Sequence, residues 1–183
     1  MPDAIYYLGY GSNLSYRRIV ARIGWCEIVG VAAIDGWCLG FNKRGTDGSA
    51  KCNALDTGIA EHRLMGIVYR IDATQKRQLD HYEDVGFGYK THVMTARLQQ
   101  RTLDVLLYIA TPDHIDSGLA PYSWYRDFVL SGAVEHGLPR QYTDAIAAVA
   151  VQPDPDADRD AGNRQILDTP IEELAVRTSA AVA

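Results

Sequence analysis

Ala4-Ile5-Tyr6-Tyr7-Leu8-Gly9-Tyr10-Gly11-Ser12-Asn13-Leu14 runs from β-branched and aromatic residues into glycines and small polar residues. The first seven predict an opening strand. Gly11-Ser12-Asn13 has turn chemistry. Residues 14–23 then predict a short helix, which Ser12, Asn13 or Ser15 could cap and Gly24 could stop. A strand follows rather than another helix, over about 27–40, with Val29, Val31 and Ala33 alternating. Residues 42–53 are polar and glycine-bearing and predict a loop, with short strands at about 53–60 and 64–71. Residues 73–83 predict a helix, with Leu79 and Tyr82 one helical step apart, and Gly86 and Gly88 break the chain after it. Tyr89 to Leu98 and Thr102 to Thr111 predict a hairpin around Gln99-Gln100-Arg101. Pro121 to His136 predicts a helix ended by Gly137, and Pro139 starts another that runs to about Val151. Strands fill the first 111 residues and helices the rest, so the class is α+β and not a βαβ alternation.

The chain has 183 residues, the length of one domain. Composition shifts at Gln152, where Pro153-Asp154-Pro155-Asp156-Ala157-Asp158-Arg159-Asp160 predicts an exposed acidic linker. The expected organisation is a domain over 1–151 and a linker and tail over 152–183, in which residues 164–183 either add a short helix or fray. Hydrophobic residues are 47% and charged residues 22%, which excludes a disordered chain, a collagen or a coiled coil. The net charge of −5 argues against a nucleic-acid partner. No apolar run is long enough to cross a bilayer. Met1-Pro2-Asp3-Ala4-Ile5 has no basic stretch leading into an apolar one, so no secretory leader is expected. Cys26, Cys38 and Cys52 are odd in number and widely spaced, which fits reduced thiols in a cytoplasm.

Three regions could carry chemistry. The turn Gly9-Tyr10-Gly11-Ser12-Asn13 lies between strand and helix, where unpaired N–H groups can hold a carboxylate, a phosphate or an oxyanion. On spacing alone a structural glycine turn with Asn13 as a cap is the commoner use of such residues. As a dinucleotide fingerprint it fails, because Leu14 stands at the third glycine. The second region, Leu79-Asp80-His81-Tyr82-Glu83-Asp84-Val85-Gly86, puts three acids at a helix end that the dipole makes unfavourable for them. If Glu83 enters a partly apolar pocket, desolvation suits it to acid–base work; otherwise it is a solvated helix end or the partner of an arginine. The third is a set of tyrosines, Tyr89, Tyr108, Tyr122 and Tyr125, which could set phenols in a polar pocket or simply fill the core. Cys52 with His62, His81, His92, His114 or His136 has no spacing diagnostic of a nucleophile pair or of a metal site.

Together these segments resemble the γ-glutamylcyclotransferase family. Tyr10-Gly11-Ser12-Asn13-Leu14 is similar to the family's YGSNL turn, and Leu79 to Gly86 to its L-D-x-x-E-G helix end, with Asp84 where glycine is common. Ala133-Val134-Glu135-His136-Gly137-Leu138-Pro139 resembles its late G-L-P stretch, and the loop from Phe41 to Ser49 is similar to bacterial members. The likeness covers about residues 5–150.

The resemblance implies a small closed mixed β-barrel flanked by helices. It implies a cyclotransferase that turns a γ-glutamyl amide into 5-oxoproline and a free amine, with no cofactor and no metal, acting on a small molecule and not at a membrane. It places the catalytic acid/base on Glu83 and substrate contacts on Tyr7, Leu8, Gly9, Tyr10, Gly11, Ser12, Asn13 and Tyr125. Two other readings share the same residues: a γ-glutamylamine cyclotransferase, and a non-catalytic module that binds γ-glutamyl compounds or another small metabolite.

Overall fold

Burial rises along the first strand, β1 (Ile5–Gly9), until Tyr7, Leu8 and Gly9 are enclosed. The structure, a computed structural model, describes residues 4–182, with side chains as far as Thr178. Met1, Pro2 and Asp3, on which the expectation of no leader partly rests, lie outside the described residues. After β1 comes a single 3-10 turn over Ser12–Leu14, then α1 (Tyr16–Ile23). Ser15 is the cap among the three candidates, accepting from the Arg18 N–H, and Gly24 closes the helix.

The next two strands are far longer than their sequence suggests. β2 spans Glu27–Arg44 and β3 spans Ala50–Ile71, paired antiparallel as one hairpin with irregularities, including one at Gly36. The loop expected over 42–53 shrinks to residues 45–49, closed by the Gly45 N–H on the Ser49 carbonyl at 2.8 Å. Asn42, Lys43 and Asn53 belong to strands. Asn53 is buried, its amide donating to Asn42 and its carbonyl accepting from the Ala110 N–H. Polar residues here signal a polar interior, which composition cannot tell from a solvated loop.

Asp72 and Gln75 form a reciprocal cap on α2 (Ala73–Tyr82). β4 (Tyr89–Leu98) and β5 (Arg101–Ala110) form the expected hairpin. β1 pairs with β3 antiparallel and with β5 parallel, at Tyr7 opposite Leu106, and β2 meets β4 at Ala33 and Arg97. The order β1-β3-β2-β4-β5 therefore closes into a mixed barrel, and six α-helices lie around it among the described residues. Closure leaves no open sheet edge.

Leu8, Leu64, Ile67, Val68, Tyr69, Val105 and Leu107 are fully buried residues of the barrel strands, and Leu14, Ile19, Val20, Phe128 and Val129 are buried with them on the flanking elements. Each such side chain contributes about 1.5–3 kcal/mol by leaving water. α3 (Ser123–Glu135) supplies Phe128 and Val129, and α4 (Arg140–Ala147) ends before Val151.

In the acidic stretch at 152–160, Pro153, Pro155, Asp156, Ala157 and Asp158 are exposed, but the stretch is tied down and runs into a helix. The Asp154 side chain is 0% exposed, accepting from Trp124 Nε1 at 2.8 Å and from Arg159. Asp156 caps α5 (Ala157–Asp168). α6 (Ile171–Val182) follows; it packs on α1, and α5 packs on α1 and α3. Proline and aspartate start helices as readily as they fill linkers, so composition at 152–160 had two structural outcomes. No helix of the described residues is long and apolar enough to cross a membrane.

Candidate active site

Glu83 is the C-terminal cap of α2, its N–H still bonded to the Leu79 carbonyl at 2.9 Å. The chain then turns sharply because Asp84 takes φ +48°. That left-handed conformation suits glycine, so the aspartate follows the backbone path a glycine would give, at some strain.

The glutamate side chain is 16% exposed. Its Oε1 accepts from Arg22 Nη1 at 2.8 Å and from Asn13 Nδ2 at 3.0 Å. Arg22 Nη1 also donates to Asn13 Oδ1 at 2.9 Å, and Asn13 Nδ2 to Tyr7 Oη at 2.8 Å. Asn13 is thus fully engaged, as a buried amide must be. Glu83 Oε2 takes no protein donor among the described residues. The surroundings are polar and not the apolar pocket considered above. Arg22 has no local sequence signal linking it to an acid 61 positions on.

Glu83 lines a small inner cavity with Gly11, Ser12, Asn13, Cys52 and Tyr7, Tyr10, Tyr89, Tyr108 and Tyr125. Tyr89 donates to the Cys52 carbonyl at 2.5 Å, Tyr10 to the Tyr108 carbonyl, and Tyr125 Oη accepts from the Cys52 N–H at 3.0 Å. Burial pushes all five phenols upward, with the Glu83 charge adding to the effect, so they act as neutral hydrogen-bonding groups. Burial likewise raises the Cys52 thiol, which disfavours a thiolate nucleophile.

The Gly11-Ser12-Asn13 turn lines the same cavity, next to Glu83 through the Asn13 amide. The Leu14 N–H bonds to the Gly11 carbonyl at 2.9 Å and the Ser15 N–H to the Ser12 carbonyl at 3.2 Å, while the N–H groups of Gly11, Ser12 and Asn13 have no backbone acceptor among the described residues. A Cβ on Gly11 would stand 2.9 Å from Cys52 Cβ and 3.5 Å from Tyr125 Oη, so glycine is there for space.

An outer chamber of about 160 Å³ continues from this cavity, sharing Ser12, Glu83, Tyr89 and Tyr125 and adding the cations Arg18, Arg22, Lys43 and Lys51 and the carboxylates Asp47 and Asp84. Two larger grooves, each about 730 Å³, are not lined by Glu83. Of the residues expected at a site, Tyr7, Tyr10, Gly11, Ser12, Asn13, Glu83 and Tyr125 come together here. Leu8 and Gly9 do not line the cavity: Leu8 is fully buried in the barrel. Tyr122 lies elsewhere, donating to the Asp47 carbonyl at 2.8 Å. No group of three or more His, Cys, Asp or Glu able to hold a metal occurs among the described residues.

Residues 63–146 match the model of the AIG2-like family, a span that includes Glu83 and Tyr125 but not the Gly11 turn. A human γ-glutamylcyclotransferase is 25% identical over 152 residues, 80% of this chain and 79% of that protein. A solved γ-glutamyl cyclotransferase superposes with a TM-score of 0.78 at 20% identity, covering 91% of this chain and 100% of that one. An uncharacterised human protein superposes with a TM-score of 0.79 at 21% identity, covering 91% and 99%. By sequence and by fold the chain is γ-glutamylcyclotransferase-like, and its residues 63–146 carry the AIG2-like family pattern.

Proposed function

We propose that the protein is a cyclotransferase that converts a γ-glutamyl amide into 5-oxoproline and a free amine, with Glu83 as general base and then general acid. The observation that carries this is the half-occupied carboxylate. Oε1 is fixed by Arg22 and Asn13, while Oε2 remains without a protein donor on a cavity wall. The human γ-glutamylcyclotransferase relative supports the reaction class.

The nucleophile is the substrate's own α-amine. It attacks the γ-carbonyl, forming the ring C–N bond. Glu83 takes a proton from the nitrogen. The carbonyl oxygen becomes an oxyanion, and the free N–H groups of the Gly11 turn are suited to receive it or to hold the α-carboxylate. The intermediate collapses with loss of the C–N bond to the leaving amine, which takes the proton back from Glu83. No electron is transferred, and no atoms beyond those of the substrate are needed. Enclosing the glutamyl chain in a folded geometry supplies a proximity effect. The five phenols ring that space with fixed hydrogen-bonding groups.

Glu83→Gln keeps the contacts of Oε1 in shape but cannot accept a proton. It is expected to lower 5-oxoproline release by about 10²–10⁴-fold, while a non-cyclisable γ-glutamyl analogue still binds. Wild-type release by that variant would remove Glu83 from the chemistry.

A further inference from the structure

Of the acids at the end of α2, Glu83 lines the cavity and Asp84 makes the turn, but the chemistry above leaves Asp80 without a task. The helix dipole disfavours a carboxylate there as it does the other two. Asp80 stands one helical step before Glu83, so the two share a face of the helix end. Its Oδ1 accepts from Tyr108 Oη at 2.9 Å, and its Oδ2 from Lys76 Nζ at 2.5 Å. The Lys76 ammonium balances the carboxylate from within α2.

Three phenols of the inner cavity commit their proton to the protein: Tyr10 to the Tyr108 carbonyl, Tyr89 to the Cys52 carbonyl and Tyr108 to Asp80. What each hydroxyl can still offer is a lone pair. Of the three, Tyr108 alone donates to a carboxylate, and a hydroxyl that donates to a charged group is itself the stronger acceptor. Burial first, then Tyr7 and the bond to Asp80, push the Tyr108 phenol upward, so its proton stays on the oxygen. The Tyr108 ring stands 5.6 Å from that of Tyr7, whose hydroxyl is bonded to the same Asn13 amide that holds Glu83. Tyr108 is thus tied to the surroundings of Glu83 twice, through Asp80 and through Tyr7. The group that a substrate brings to Glu83 is its α-ammonium, and N–H groups enclosed in a cavity call for acceptors. We infer that Asp80 is a positioning residue: by taking the Tyr108 proton it makes that phenol an acceptor for the α-ammonium of the glutamyl half, beside Glu83. This rests on the cyclotransferase reading of the same site and adds which residues hold the attacking nitrogen.

The test is a matched pair, γ-glutamyl-alanine and glutaryl-alanine, which differ only in the α-amino group. Their affinities are read by calorimetry in the Glu83→Gln protein, where the first is expected to persist. Tyr108→Phe, added to that protein, is expected to lower the ratio of the two affinities by roughly 10–100-fold at the expense of the amine, as for the loss of a hydrogen bond to a charged group. Asp80→Ala is expected to lower it by about 3–10-fold, because the phenol oxygen remains but is no longer polarised or oriented. With Tyr108→Phe in place, Asp80→Ala is expected to change the ratio no further, the mark of a residue that acts through another. The ratio compares two ligands on one protein, so partial unfolding of a variant cancels. A residue that only fastens α2 to the barrel would weaken both ligands alike. A ratio unmoved by Asp80→Ala, or two effects that add when combined, would overturn this inference and leave the reaction standing. Wild-type protein that releases no 5-oxoproline from γ-glutamyl-alanine would end the cyclotransferase reading, and this inference with it.

Discussion

At the scale of single residues, Glu83 depends on a backbone conformation set one residue later. Asp84 at φ +48° bends the chain away from α2, which leaves the Glu83 side chain directed to Arg22 and Asn13. A left-handed L-residue costs about 1–2 kcal/mol, and glycine gives back about 0.5–1 kcal/mol of that in extra freedom when unfolded. Asp84→Gly is therefore expected to stabilise the fold by about 0.5–1 kcal/mol, read as a rise in the thermal midpoint. Losing the exposed Asp84 charge near Lys43 acts in the opposite direction, but an exposed charge is screened, so the backbone effect wins. A lowered midpoint would mean that the carboxylate, and not the backbone, holds the turn. Such a position is hard to judge in advance: nothing in an aspartate at 84 announces the left-handed conformation, favoured by glycine, that the structure shows there.

At the scale of elements, the site exists because helix α3 comes close to the turn before α1. A Cβ on Gly132 would lie 2.2 Å from the Leu14 carbonyl carbon and 2.3 Å from the Ser15 nitrogen, both backbone atoms with little room to yield. Gly132→Ala is expected to cost at least about 1–3 kcal/mol as overpacking. It should also displace Ser12 and Asn13 and so reduce 5-oxoproline release. The contrasting exchange is Gly162→Ala on α5, where an added Cβ meets nothing and helix propensity favours alanine by about 0.8–1 kcal/mol. Its midpoint is expected to rise. Similar midpoint changes in the two variants would mean that α3 and the turn are not packed as described. Helices and hairpins of this kind were legible where a local code exists: the Ser15 cap, the Gly24 stop and the β4–β5 hairpin all follow from neighbouring residues. The β2–β3 hairpin was not, because Asn42, Lys43, Lys51 and Asn53 look like a solvated loop while three of them pair across β2 and β3 and two are buried. Glu83 and the Gly11 turn could be singled out by their residues, whereas Arg22 and Lys43 join the site only through folding.

At the scale of the molecule, the C-terminal helices close over the elements that hold the site. Arg18 reaches Asn163 at 2.6 Å, Arg17 the Thr169 carbonyl at 3.3 Å, and Thr178 the Val20 carbonyl at 3.0 Å, so α1 is clasped between barrel and tail. The clasp is anchored by Asp154, whose carboxylate takes Arg159 on both oxygens and Trp124 from α3 on one. The Arg159 hydrogen bonds, with help from the Asp156 N–H and Trp124, hold the Asp154 carboxyl far below the usual carboxylate range. Its folded pKa is thus depressed, and the native state binds fewer protons than the unfolded chain between the two values. The stability that Asp154 contributes is fully present above the unfolded carboxylate value of about 3.9 and is lost as pH falls through the depressed folded one. Asp154→Asn is expected to lower the thermal midpoint at neutral pH. The difference from the wild type should then narrow as pH drops below about 4, because the ionised form is what the partners recognise. Asp47 and Asp35, whose carboxyls are also depressed by basic partners, titrate in both proteins and cancel in the difference. A gap that stays constant down to about pH 3 would mean that Asp154 acts through shape alone and that the tail is held by α6 on α1 rather than by this charge.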